Sequence, residues 1–267
     1  MTRTFGWALA ALLAGGLVAQ DGARTPAGQA AYDKLIVDFD TAKAEFNAKF
    51  DAIKATEEWQ TAMEARDNET LQKLYNSIEK VDAAKFAERA MELAAKHQGE
   101  DAVAFYCWTA VNGADRDLAR EAMEALRDNH LQSPGLEPLM ERGVMLTRTL
   151  GPDAGTMMLD LIIDENPHAM VRAWALYWKA HPVVNNRGRG GYSEDEKVTA
   201  VGWMDQAEKL AAGTPLAARI AAPRFEKERL QIGMVAPDID GVDTDGTAFK
   251  LSDYRGKVVV LDFWGFW

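Results

Sequence analysis

The feature that most constrains the fold is a series of apolar stripes at helical spacing, which runs from Thr25 to about Arg224. Thr25 and Pro26 form an N-cap followed by a proline at the first helical position. The stripe that follows repeats every three or four residues and comprises Tyr32, Leu35, Phe39, Ala42, Phe46, Phe50 and Ile53. Because only one side of an α-helix carries this period, the sequence predicts a long amphipathic helix packed against other helices.

Shorter helical segments continue the pattern, with glycine and proline between them. They read AAKFAERAMELAAKH, EDAVAFYCWTAV, RDLAREAMEALRDN, PLMERGVMLTRTL, AGTMMLDLIIDEN and AMVRAWALYWKAH. Helix pairs that recur every few tens of residues are typical of α-solenoids, in which each pair buries its apolar face against its neighbours. We therefore predict a mainly α protein with a helical-repeat, α-solenoid-like domain over residues 25–230. An ordinary helical bundle is the alternative.

Two further helix starts are predicted near the end of this region. Ser193 and Glu196 have the spacing of a capping box. Thr214 and Pro215 repeat the cap-plus-proline signal and predict a last helix that ends at about Leu230.

Residues 1–19 are expected to be a signal peptide. Arg3 supplies the positive start, Phe5 to Val18 is an apolar run too short for an ordinary spanning helix, and Ala19 ends a small-residue cleavage site. An uncleaved membrane anchor and a buried helix are the alternatives. A signal peptide predicts that the protein is exported, with no membrane span apart from a possible uncleaved signal anchor.

Charge and cysteine content exclude several classes of function. The formal net charge is −11 and the lysines and arginines form no stripes, so nucleic acid is not expected as a partner. The single cysteine, Cys107, lies in the apolar segment AVAFYCWTAV and is expected to be a buried structural thiol. The four histidines have no metal-binding spacing, and no phosphate-binding or dinucleotide motif occurs, so we expect neither a metal nor a cofactor.

The composition changes near Gln231, where helical periodicity ends. Asp245-Gly246 lies between two short extended runs and predicts a β-hairpin turn. Val258 to Phe263 is a continuous apolar run of strand length, which predicts a central strand covered on both faces. These signals place a domain boundary near residue 230.

The segment from Ile232 to Trp267 resembles the start of the redoxin domains, which are thioredoxin-like domains of the TlpA type. These are thiol–disulfide oxidoreductases of the bacterial envelope, with peroxiredoxins as relatives. In the family's order, APDIDGVDTDGT resembles the first strand and hairpin, FKLSDYRGK the linking turn, and VVVLDFWGFW the first central strand. The resemblance implies that residues 231–267 are the incomplete N-terminal part of an α/β thioredoxin-like domain. The helical region resembles, less specifically, the helical extensions of some redoxin proteins.

The resemblance also implies two site residues. In the family this strand leads into W-C-x-x-C at the start of a helix, whose N-terminus lowers the thiol pKa of the first cysteine. Trp267 matches the residue before that cysteine, so we expect the chain to be truncated just short of the active-site pair and inactive by itself. Asp262 matches a buried acid that relays protons to the second cysteine. The alternative is that Asp262 is solvated near a strand end.

Three functional hypotheses follow. The first is a fragment of an exported thiol–disulfide oxidoreductase of the bacterial periplasm or cell envelope, acting on protein thiols and disulfides. The second is a helical interaction scaffold with a protein partner on the helical domain and an inert redoxin remnant. The third is a peroxiredoxin-type peroxidase, which is disfavoured because Gly265 follows Trp264 where peroxiredoxins soon place a proline.

Overall fold

The computed structural model describes residues 23–185 and 191–263 and confirms a mainly α protein. It forms two compact units, one extending to Leu210 and the other beginning at Ala211. The predicted signal peptide, residues 1–19, lies outside the described residues. Within the described ranges the helices are α1 Pro26–Lys54, α2 Glu57–Ala65, α3 Asn68–Asn76, α4 Ala83–Lys96, α5 Gly99–Asn112, α6 Arg116–Asn129, α7 Glu137–Glu141, α8 Val144–Leu150, α9 Pro152–Glu165, α10 Ala169–Val184, α11 Glu194–Leu210 and α12 Pro215–Arg229.

Helix α1 forms as its stripe predicts. The Thr25 hydroxyl accepts a hydrogen bond from the Gly28 amide at 3.0 Å, which satisfies one of the free N–H groups of the first turn. Leu35 is fully buried in a cluster with Phe105 and Trp108 of α5 and three alanines of α4. The small alanine side chains allow α1 and α5 to pack closely against α4. These three helices therefore share one part of the hydrophobic core.

The far end of α1 carries aromatic residues that pack against α2 and α3. The Phe50 ring lies 5.4 Å from Trp59 and 5.3 Å from Tyr75, both in edge-to-face geometry. These two helices were not predicted from the apolar pattern. Both helices nevertheless begin with a capping residue of a type that a sequence shows, Thr56 for α2 and Asp67 for α3. The side chain of each accepts hydrogen bonds from amides of the first helical turn.

Further along, helices that are neighbours in the chain pack on one another, as in α4 with α5, α5 with α6, α8 with α9, α9 with α10, and α10 with α11. The segment PLMERGVMLTRTL was predicted as one helix, and this was wrong. It divides into α7 and α8 at Arg142-Gly143. Trp178 of α10 donates its indole N–H to the Met140 carbonyl at 2.7 Å, and a Cβ on Gly143 would lie 2.4 Å from the Trp178 ring. The indole N–H therefore binds the Met140 carbonyl, which the Val144 amide would use in a continuous α-helix.

Other boundaries follow or depart from the sequence signals. Ser193 and Glu196 make the predicted capping box. The Ser193 amide donates to the Glu196 carboxylate at 2.7 Å, and the Glu196 amide donates to the Ser193 hydroxyl at 3.3 Å. Thr214 does not cap α12, because its hydroxyl donates to the Ala211 carbonyl. Pro182, which directly follows the predicted helical segment AMVRAWALYWKAH, lies inside α10 near its end.

The second unit contains α12, a two-stranded antiparallel sheet and a 3₁₀ turn over Leu251–Tyr254. Strands β1 (Asp240–Val242) and β2 (Ala248–Lys250) pair with Gly241 opposite Phe249. Val258 to Phe263 forms no strand here. Among the described residues no further strand lies beside it, and strand pairing needs such a neighbour. Domain limits at residues 25, 230 and 231 stay predictions.

Candidate functional site

The β1–β2 hairpin forms at the predicted turn. The Asp243 carboxylate accepts hydrogen bonds from the amides of Asp245 and Thr247 at 3.0 and 2.8 Å. Gly246 has φ of +83°, a left-handed conformation that glycine adopts without a steric penalty. Local turn chemistry therefore fixes this hairpin without help from distant residues.

A second aspartate ties the hairpin to the segment that follows it. Asp238 accepts hydrogen bonds from the Ser252 amide at 2.8 Å and from the Ser252 hydroxyl at 2.7 Å. The hydroxyl bond, then the amide bond, lowers the pKa of the Asp238 carboxyl below its usual value. The Leu251 amide also donates to the Ile239 carbonyl at 2.9 Å. These bonds set the direction in which the chain leaves the hairpin toward Gly256 and Val258.

The apolar run that follows is exposed. Val258 and Val260 are 97% and 87% exposed, and Phe263 is 82% exposed. Asp262 is also exposed, and Trp267 lies outside the described residues. The exposed run does not enclose Asp262 among apolar neighbours. The proton-relay role of Asp262 and the place of Trp267 before a cysteine therefore stay predictions.

Cys107, the single thiol of the chain, is buried in α5, as predicted. Its Sγ donates to the Gly135 carbonyl at 3.3 Å. Burial, with a smaller contribution from the nearby Glu100 carboxylate, raises the pKa of the Cys107 thiol to about 12. A thiol in this state is a poor nucleophile because the thiolate is the reactive form. Cys107 is therefore a structural residue.

Sequence reasoning missed the polar groups around Cys107. Arg24, Glu100 and Gly135 line one cavity with it. Asp101, one position further along α5, is 5% exposed and accepts hydrogen bonds from the amide and hydroxyl of Thr25. Charged residues at a helix start look like ordinary helix-dipole partners in a sequence, so no local signal marked Glu100 and Asp101 as partners of distant residues.

Metal and membrane features give no alternative site in the part of the chain that the structure describes. Over residues 23–185 and 191–263, no three potential metal-ligating side chains lie together. Within the same ranges, no helix has both the length and the apolar character that crossing a bilayer requires.

Comparison with known proteins relates a short stretch of the chain to one enzyme class. Over 42 residues it is 50% identical to the thiol-disulfide oxidoreductase ResA of Geobacillus kaustophilus (strain HTA426). It is 48% identical over 42 residues to ResA of Geobacillus thermodenitrificans (strain NG80-2), and 45% to ResA of Bacillus anthracis. This stretch is related to thioredoxin-like thiol–disulfide oxidoreductases.

The relationship is limited in extent. Each match covers 16% of this chain and 24% of the relative. The chain thus spans about a quarter of the length of the curated relatives it matches. No family model matches the chain, and no solved structure matches it.

Proposed function

We propose that this chain belongs to an exported thiol–disulfide oxidoreductase of the thioredoxin or TlpA type. It would contribute a helical unit and the N-terminal part of the thioredoxin-like domain. The observation that carries the proposal is the 42-residue match to three proteins named as thiol–disulfide oxidoreductases. The folded hairpin with its Asp238–Ser252 tie supports it, because the resemblance places such a hairpin directly before the strand that leads to the cysteines.

In the proposed mechanism the cysteine pair lies beyond Trp267. The first thiolate attacks a protein disulfide, a mixed disulfide forms, and one substrate thiolate leaves and takes up a proton. The second cysteine then attacks the mixed disulfide, releasing the other substrate thiol and leaving an intramolecular disulfide in the enzyme. Asp262 would take up or return the proton of the second thiol. Cys107 has no part in these steps because it is buried and protonated.

The exposed run Val258–Phe263 fits this role in packing terms. Its first four residues, Val258 to Leu261, are three valines and a leucine. Each of them is at least 42% exposed. Such residues suit the centre of a parallel or mixed sheet, where helices and strands cover both faces. We propose that this run becomes the first central strand when the remainder of a thioredoxin-like domain covers it.

Insulin reduction by the product of the complete gene, including any codons after Trp267, tests the activity. We expect turnover with dithiothreitol that disappears when both cysteines of a C-x-x-C pair become serine. Cys107→Ser should leave turnover unchanged. Asp262→Asn should slow the reaction, whereas Asp245→Asn on the exposed hairpin turn should not.

Two results would contradict the proposal: a gene with no in-frame C-x-x-C after Trp267, or insulin reduction that persists without the pair. A helical scaffold with an inert remnant predicts no turnover at all from the same protein. A peroxidase would instead consume hydrogen peroxide through a single cysteine.

Export is a separate part of the proposal and is tested separately. We propose that residues 1–19 direct the protein to the bacterial periplasm or cell envelope. A fusion of residues 1–40 to alkaline phosphatase should be active in a bacterial host, and deletion of residues 2–19 should abolish that activity. N-terminal sequencing of the exported fusion should begin at Gln20. An intact fusion without phosphatase activity would contradict export and leave the proposed oxidoreductase activity untouched.

The helical unit is proposed to be an irregular α-solenoid. Consecutive helices from α4 to α6 and from α8 to α11 pack as neighbours, which is the pattern of helical-repeat proteins. Its role in the proposed oxidoreductase is to bind a protein partner. Pull-down with residues 23–210 and with the whole chain should recover the same partner.

A further inference from the structure

A small cavity lies between α1, α5 and the loop before α7. Its volume is about 180 Å³, which corresponds to about six water molecules at 30 Å³ each. Apolar groups form much of its wall, namely Ala104, Trp108, Val111 and Pro138. The size is below the roughly 300 Å³ at which sites for drug-sized molecules begin. A metabolite of a few heavy atoms with an apolar body matches this space.

Arg24 brings a positive charge to the cavity. Its guanidinium carbon lies 4.3 Å from the centre of the Tyr32 ring, so the ring fixes the side chain by a cation–π contact. One guanidinium nitrogen, Nη1, is buried and has no hydrogen-bond acceptor within the described part of the chain. This nitrogen has almost no accessible surface, so a ligand in the cavity would meet the positive charge through the rest of the Arg24 side chain, which forms part of the wall.

Glu100 brings a negative charge to the same cavity. Its Oε2 accepts a hydrogen bond from the Ser133 hydroxyl at 2.6 Å, and that hydroxyl accepts one from the Gly135 amide at 2.9 Å. A Cβ on Gly135 would lie 2.6 Å from the same carboxylate oxygen. The loop thus holds Glu100 in one orientation, and glycine is required for the close approach. No ion pair joins Arg24 to Glu100 over residues 23–185 and 191–263.

A fixed cation and a fixed anion on an apolar cavity are complementary to a molecule with the opposite arrangement. We propose that this cavity binds a small zwitterion, an α-amino acid with an apolar side chain. Its carboxylate would contact Arg24, its ammonium group Glu100, and its side chain the surface of Val111 and Pro138. The proposal is independent of the oxidoreductase function, since neither the cysteine pair nor Asp262 takes part.

Titration calorimetry and thermal melting of the full chain with L-leucine, L-valine and L-methionine test the proposal. We expect at least one of them to bind with one-to-one stoichiometry and to raise the melting temperature. Two analogues of leucine separate the charges: 4-methylpentanoate lacks the ammonium group and 3-methylbutylamine lacks the carboxylate. Each should bind about tenfold more weakly or worse, as expected for the loss of one charged hydrogen bond.

Variants locate the binding. Arg24→Gln and Glu100→Gln should each weaken amino-acid binding by about tenfold or more. Arg120→Gln and Glu121→Gln, which change exposed residues of α6, serve as matched controls and should bind normally. Val111→Phe fills the cavity without changing charge and should abolish binding. Circular dichroism confirms that each variant is folded.

The proposal would be overturned by no binding of any of the three amino acids, by equal binding of leucine and its two analogues, or by unchanged binding in both charge variants that fold. Equal binding of 4-methylpentanoate alone would mean that the cavity takes simple carboxylates and that Glu100 is structural. That result also overturns the zwitterion assignment.

Discussion

Alkylation of Cys107 measures how far burial suppresses the reactivity of the single thiol. Its pKa is raised from 9.0 to about 12, so the thiolate fraction at pH 8 is about a thousandfold lower than in the unfolded chain. Because the thiolate is the species that reacts, iodoacetamide should modify the folded chain about a thousandfold more slowly than the chain in guanidinium chloride. The 3% exposure of the side chain adds to this protection.

Mass spectrometry of quenched samples gives the two rates. A folded-state rate within about tenfold of the unfolded rate would refute the reasoning, because it would mean that the thiol is accessible and ionised. The control is N-acetylcysteine alkylated with and without guanidinium chloride at the same pH, which corrects the comparison for the effect of the denaturant on the reaction itself.

The same shift has a consequence for stability against pH. Between pH 9 and about 12 the unfolded chain loses the Cys107 proton while the folded chain keeps it. The folded state then binds more protons, so the free energy of unfolding falls as pH rises through this window, by at most about 1.4 kcal/mol per pH unit from this group. Cys107→Ser removes the titration, and urea melts should show a shallower decline in the variant. Parallel declines in the two proteins would contradict the assigned pKa.

Three further perturbations test contacts seen in the structure. Asp101→Ala should lower the free energy of unfolding by about 3 kcal/mol in urea melts, because the buried carboxylate accepts two hydrogen bonds from Thr25. The control is Asp117→Ala at the start of α6. Asp117 is exposed, so this substitution should change the free energy of unfolding little. Gly246→Ala should lower the stability of the hairpin turn by about 1 kcal/mol, because Gly246 has a φ of +83°. The amide of Thr247, which donates to Asp243 in this turn, should then exchange faster. Unchanged exchange would refute the assigned turn. Lowering the pH below the ordinary aspartate pKa should weaken the Asp238–Ser252 hydrogen bonds, because the lowered pKa of Asp238 means that they stabilise its ionised form. The protection factor of the Ser252 amide, which is corrected for intrinsic exchange, should therefore fall with acidification; a protection factor independent of pH would contradict this.

Much of the helical architecture was predictable because it depends on local chemistry and on the period of apolar residues. The stripe through Leu35 and Phe39 and the cap at Thr25 specify α1 and its buried side. The capping box at Ser193 and the turn at Gly246 were likewise predicted and confirmed, since each uses side chains and amides only a few residues apart.

The mistakes arose where a distant side chain decided the local structure. The break between α7 and α8 depends on Trp178, which is far away in the sequence but donates a hydrogen bond to Met140. The apolar run at Val258 shows the opposite case. Its composition predicts a central strand, but a strand needs neighbours to pair with, and no additional strand lies beside it in the described part of the chain.

By itself the sequence determined the helical class, the hairpin turn, the structural nature of Cys107 and the resemblance of the C-terminal segment to redoxin domains. These properties follow from periodicity, turn chemistry and the order of short motifs. Only the tertiary structure decided that Arg24, Glu100 and Gly135 meet around one cavity and that Asp101 holds the start of α1. Such groups are separated by many residues along the chain, and the packing of α1 against α5 brings them together. Burial then converts ordinary surface charges into groups that require a partner.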